Sequence, residues 1–215
     1  MAALNFIRGS VKGKIGQFVG SSWRGKDYIK TYTPPGNPKT AGQVSVRNIF
    51  QRVTLIAKSI YYPVLKPYTF PKPQKMTAFN KMVQTNKPMF DGREWDASLL
   101  KIFEGALYSP GISGAALSAD RRELAVTWDG SQGTADNAAI AVVHSEETGK
   151  TLCAVTTRDA GTTGDWDITE LGGITDPGKV HAYLVFSRPP AQGTDADVAG
   201  TGEVSGTAYH TVTAG

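Results

Sequence analysis

Asp176-Pro177-Gly178-Lys179-Val180-His181-Ala182-Tyr183-Leu184-Val185-Phe186 is the stretch on which the reading of the C-terminal half turns. A turn signal is followed by a run of β-branched and aromatic residues with no helical spacing. Alternation puts His181, Tyr183 and Val185 on one face of that strand. The same grammar recurs upstream. Leu124, Val126 and Trp128 share a face of a strand over 123–128. Further strands are predicted near 99–107, 113–118, 138–144, 151–157 and 204–212. Ser109-Pro110-Gly111, Asp129-Gly130, Thr148-Gly149 and Ala160-Gly161 separate them. Seven short strands over residues 98–215 predict a β-sandwich with Trp128 in its core.

Upstream of residue 98 the period changes. Val46, Ile49, Phe50, Val53, Ile56 and Ile60 recur at spacings of three and four, which predicts a helix over 41–60. Thr40 and Gln43 fit a capping box at its start, and Pro63 is expected to stop it. A proline-rich extended connector follows over 63–75, then a short helix capped by Thr77. Before residue 40, glycines at 9, 13, 16, 20 and 25 separate short apolar stretches, and residues 15–32 read as a β-hairpin. Tyr28, Lys30 and Tyr32 fall on one face of its second arm, Ile29 and Thr31 on the other. The expected fold class is α+β, mainly β. A hairpin-plus-two-helices domain spans 1–92 and a β-sandwich domain spans 98–215.

Charge is divided along the chain. The total is +4, yet residues 1–90 carry +14, with Asp27 as their only acid, and residues 91–215 carry −10. Such asymmetry implies an acidic partner for the N-terminal half, either nucleic acid or the acidic half of another copy. Lys12, Lys14, Arg24, Lys26, Lys30, Lys39, Arg47 and Arg52 are the candidate contact residues. Phe18, Trp23, Tyr28 and Tyr32 lie among them, as core or interface aromatics or as platforms for unpaired bases.

In order, Gly13-Lys14-Ile15-Gly16, Val19-Gly20, Trp23-Arg24-Gly25, Tyr28-Ile29-Lys30, Asn37-Pro38-Lys39-Thr40, Gln43, Arg47 and Phe50 resemble an uncharacterised family from Bacteroidetes genomes and their phages. The resemblance covers roughly residues 9–90. It implies a structural part of a virion or virion-like particle and transfers no catalytic residue. Separately, the C-terminal half resembles a fibronectin type III or immunoglobulin-like sandwich, a module that mediates contacts.

No catalytic constellation emerges. His144, His181 and His210 are far apart in sequence and read as individually packed or surface side chains. The glycines at 13, 16 and 20 lack the strand-to-helix setting of a phosphate loop. Asp165-Trp166-Asp167 and Glu146-Glu147 read as loop acids. Cys153, the single cysteine, excludes a disulfide within the chain. No cofactor, metal or small-molecule substrate is expected. The first residues lack the pattern of a signal peptide and no apolar run reaches membrane-helix length, so assembly in a cytoplasm is expected, which the resemblance implies is that of a bacterial host. The expected function is a non-enzymatic virion protein that binds copies of itself and other particle proteins. The alternatives are a nucleic-acid-binding protein and a carbohydrate-binding module using Trp166 and Tyr209.

Overall fold

The structure is a computed structural model describing residues 3–5, 10–23, 26–34, 36, 39–69, 73, 75–90, 94–109, 111–131, 138–188 and 203–214, with backbone alone at 3–5, 10–12, 23 and 26. The chain forms two units, residues 1–39 and 40–215.

In the first unit four antiparallel strands, β1 (Ala3–Asn5), β2 (Ser10–Ile15), β3 (Phe18–Trp23) and β4 (Lys26–Thr31), lie in chain order. The expected hairpin is thus part of a wider sheet. Its first tight turn is Gly16-Gln17, where Gly16 has φ +57°, a left-handed conformation that glycine adopts without strain. The ladder from Phe18↔Thr31 to Trp23↔Lys26 contains no bulge. The Arg24-Gly25 connection lies outside the described residues.

The second unit opens with α1 (Ala41–Ser59), whose N-cap Thr40 accepts a hydrogen bond from the Gln43 amide, as the sequence predicts. Pro63 does not stop the chain's helical course. Pro63 has no N–H, and a π turn over Tyr61–Leu65 takes the chain past it, with the Leu65 amide reaching back to Ile60 O at 3.0 Å. A single turn, α2 (Lys66–Tyr68), follows, so the first part of the expected extended connector is helical. Then comes α3 (Ala78–Thr85), capped by Thr77.

Among the described residues nine strands follow: β5 (Ile112–Leu117), β6 (Glu123–Trp128), β7 (Ala138–Ser145), β8 (Thr151–Thr157), β9 (Trp166–Asp167), β10 (Val180–Arg188), β11 (Glu203–Val204), β12 (Ala208–Thr211) and β13 (Thr213–Ala214). One sheet is ordered β11-β10-β7-β8 with β12 also on β10; the other is β13-β5-β6-β9. The two sheets enclose one apolar core. Leu124, Val126 and Trp128 meet Ala141, Val143, Leu184 and Phe186 there.

The larger sheet's other face is covered by helices. Ile49, Val53, Ile56 and Ile60 pack on Ile140, Val142, Tyr183 and Val185. Helices, five-stranded sheet and four-stranded sheet therefore form three layers, an α+β arrangement. This is why β10 is buried at every position from Val180 to Ser187. It also moves the boundary. The division of the chain into 1–92 and 98–215 does not match the packing, because the helices belong to the β core and the break falls after Lys39.

The strand predicted over 99–107 is absent. Its alternating Leu100 and Ile102 are buried, but against the helices. Its amides find side chains instead of a ladder: Lys101 N–H donates to Asn86 Oδ1, and Ile102 and Phe103 N–H to Thr207 Oγ1.

Candidate interaction surfaces

The predicted contact residues divide between the units. The register of the first sheet places Ile15, Phe18, Ile29 and Thr31 on one face and Lys14, Val19, Tyr28 and Lys30 on the other. Ile15, Phe18 and Ile29 are 38%, 54% and 61% exposed. Among the sheet's described side chains and glycines only Gly20 is buried. On the second face Lys14 Nζ stands 3.7 Å from the centre of the Tyr32 ring, close enough for the cation to hold the aromatic in place. Lys39 closes this unit and is exposed. Lys12, Trp23 and Lys26 are placed in β2, β3 and β4 by backbone, and Arg24 lies outside the described residues.

Arg47 and Arg52 sit on α1 in the second unit, so the eight candidate cations are divided between the two units. Arg47 is exposed. Arg52 is committed internally: it lies 3.7 Å from Glu146 Oε1 and over the Trp95 ring at 5.4 Å. Phe50, expected on the buried stripe, is instead half exposed at its flank, against Phe90.

Glu146 is the centre of a polar cluster that sequence reading misses. Trp95 Nε1 donates to Glu146 Oε1, and His181 Nε2 lies 3.3 Å from that oxygen. His181 Nδ1 is 3.0 Å from Tyr209 OH. His144 and His181 are not independent side chains, since they are register partners across β7 and β10. Burial pushes the His144 imidazole down to about 4, and the neighbouring His181 adds to the shift. His181 is lowered by burial as well, with Glu146 opposing. Both rings are thus neutral at pH 7, and the cluster ties α1 and the Trp95 segment to the paired ends of β7 and β10. The signal in the sequence is faint, because it lies in a pairing between strands roughly 35 residues apart.

The remaining candidates are dispersed. Trp166 packs against the core between the two sheets, whereas Tyr209 packs against the helix side. They do not form a shared platform. Asp167 accepts from the Thr169 amide, and Glu147 from the Thr175 hydroxyl and then its amide, which holds both carboxyls below the usual range. Cys153 lies half buried on β8, where burial raises its thiol and keeps it protonated. Among the described residues no helix is long and apolar enough to cross a membrane.

A two-unit α+β protein with exposed apolar and basic surfaces is what the fold and these sites define. A family model described as a family of unknown function (DUF6266) matches residues 10–186, and the chain belongs to that family. No curated protein and no solved structure matches it.

Proposed function

We propose that this chain is a non-enzymatic structural protein of a phage or phage-like particle, made in the host bacterial cytoplasm, which self-assembles or docks on other particle proteins. The observation that carries this reading is the first unit. A four-stranded sheet with Ile15, Phe18 and Ile29 exposed on one face and lysines and tyrosines on the other buries almost nothing of its own. Sheets of this size depend on a covered apolar face. An arm of this type is completed by a neighbour.

The strand order of the second unit supports an immunoglobulin-like contact module. β5, β6 and β9 share one sheet, and β8, β7, β10 and β12 run in that order in the other. The phage assignment rests on the resemblance of the N-terminal motifs.

Light-scattering mass at about 50 mM and about 500 mM salt tests the proposal, since screening separates charge-driven from apolar association. A homo-oligomer free of nucleic acid supports self-assembly, and a monomer at both salts contradicts it. One observation favours nucleic acid as a second reading: Lys14, Tyr28 and Lys30 share a face, with Tyr32 beneath Lys14, a pairing of cations and stacking rings suited to single strands. That reading predicts nucleic acid retained at the lower salt and released at the higher.

A further inference from the structure

The outer surface of α1 is not the inert polar face that its amphipathic pattern leads one to expect. Opposite Ile49, Val53 and Ile56, the stripe Val44, Arg47, Gln51, Leu55 and Lys58 runs along the helix at spacings of three and four, and Tyr62 of the π turn continues it. Val44 is 39% exposed, Leu55 48% and Tyr62 74%. A hollow of about 280 Å³ lies beside its end, between Tyr61, Tyr62 and Phe79. Residues 40–90, which include this stripe, contain eight lysines and arginines and no acid.

The opposite side of the same unit has the complementary character. In β6 the side chains of Leu124, Val126 and Trp128 point into the core, which turns Glu123, Ala125 and Thr127 outward. Asp167 of β9 is the register partner of Glu123, and both are exposed. Asp120 and Asp165, also exposed, flank them, and these four acids outnumber the nearby Arg121 and Arg122. Exposed Ala116 and half-buried Ala125, also register partners, leave this sheet face low enough for a helix to approach.

We infer that the Val44–Tyr62 stripe of one copy docks on the acid-edged β5–β6–β9 face of a second copy of this chain. The inference rests on the assembly reading above and names its contact. Charge complementarity selects the partner: Arg47 and Lys58 of the stripe meet the acidic side of an identical molecule. Val44 and Leu55 select protein over nucleic acid, because aliphatic side chains gain nothing from a phosphate backbone. The two surfaces lie on opposite layers of one unit, so the contact is head-to-tail and repeats into a filament or closes into a ring.

Charge reversal with rescue tests it. Light-scattering mass is measured at about 50 mM salt, where screening is weak, for the full chain, for R47E/K58E, for E123K/D167K and for the four changes combined. The expected result is a fall in mass in each reversed pair and recovery of the parent mass in the combination. All six surface positions of the stripe and both acids are outside the cores, so far-ultraviolet circular dichroism should match the parent. Should a reversal unfold the chain, K58Q and E123Q serve in its place, each lowering the mass. A mass unchanged in both reversed pairs overturns this contact and leaves assembly through the N-terminal sheet standing. A parent chain that is monomeric overturns both.

Discussion

Acidification from pH 7 to pH 5 is expected to weaken the second unit, and His144 supplies a calculable share. Its ring is 4% exposed, beside Thr151 Oγ1 at 3.0 Å and the Trp95 ring at 6.5 Å. Its imidazole stands at about 4 in the fold against 6.5 in the unfolded chain. Below 6.5 the unfolded chain takes up a proton that the folded one refuses, so stability is intact above pH 6.5 and declines as pH falls towards 4. Two-state linkage gives a loss of about 2 kcal/mol at pH 5 and about 3.4 kcal/mol once both states are protonated. Charges facing the ring are His181, Glu146 and Arg52. His181, also lowered, acts in the same direction. The lowered carboxyls of Asp96, Asp120, Asp129, Glu147 and Asp167 act lower, since they lose their contribution only as pH falls through and below the ordinary carboxylate range. Urea unfolding followed by tryptophan fluorescence at pH 7, 6 and 5 reads the effect, with His144→Gln as the comparison. The parent should lose about 2 kcal/mol more than the variant over that interval, which for a unit of this size corresponds to roughly 4–8 °C in Tm. Equal losses in the two proteins would refute the assignment of a buried neutral histidine.

Three further outcomes follow from buried contacts. Tyr183, fully buried, donates its hydroxyl to Ala97 O at 2.9 Å, so Tyr183→Phe leaves that carbonyl without this donor and should cost about 1–2 kcal/mol in chemical denaturation. Asn86 donates to Met82 O and Lys101 O and accepts from Lys101 N–H; Asn86→Ala removes all three bonds and should cost about 2–4 kcal/mol, with earlier proteolysis of the 97–107 segment. A Cβ on Gly105 would stand 2.0 Å from the Val204 carbonyl oxygen, backbone against backbone, so Gly105→Ala should lower Tm by more than either.

Local signals in the sequence were legible, and pairings between distant residues were not. Thr40 and Thr77 cap the helices they were expected to cap, because a cap depends on three neighbouring residues. Strands at 112–117, 123–128, 138–145, 151–157 and 180–188 fall within a residue of their predicted limits, since alternation and turn residues are local too. The strand expected over 99–107 failed because Thr207, a hundred residues later, takes over its amides. Alternation gives Val180–Phe186 two distinct faces, but nothing within it says that a helix layer covers the second one. The same remoteness hid the approach of His144 to His181, which only the β7–β10 register creates. On the surface, Lys30 and Tyr28 could be placed on a common face from alternation alone. That Arg52 is engaged by Glu146 while Arg47 is exposed could not be, as both lie off the apolar stripe.

Self-association is the central claim, and mass by light scattering after size exclusion, with the 260/280 nm absorbance ratio recorded, tests it most directly. At about 50 mM salt the account predicts a homo-oligomer with the absorbance ratio of protein alone, and a smaller species at about 500 mM as the charges are screened. A monomer at both salts, or one that carries nucleic acid only at the lower, would contradict it.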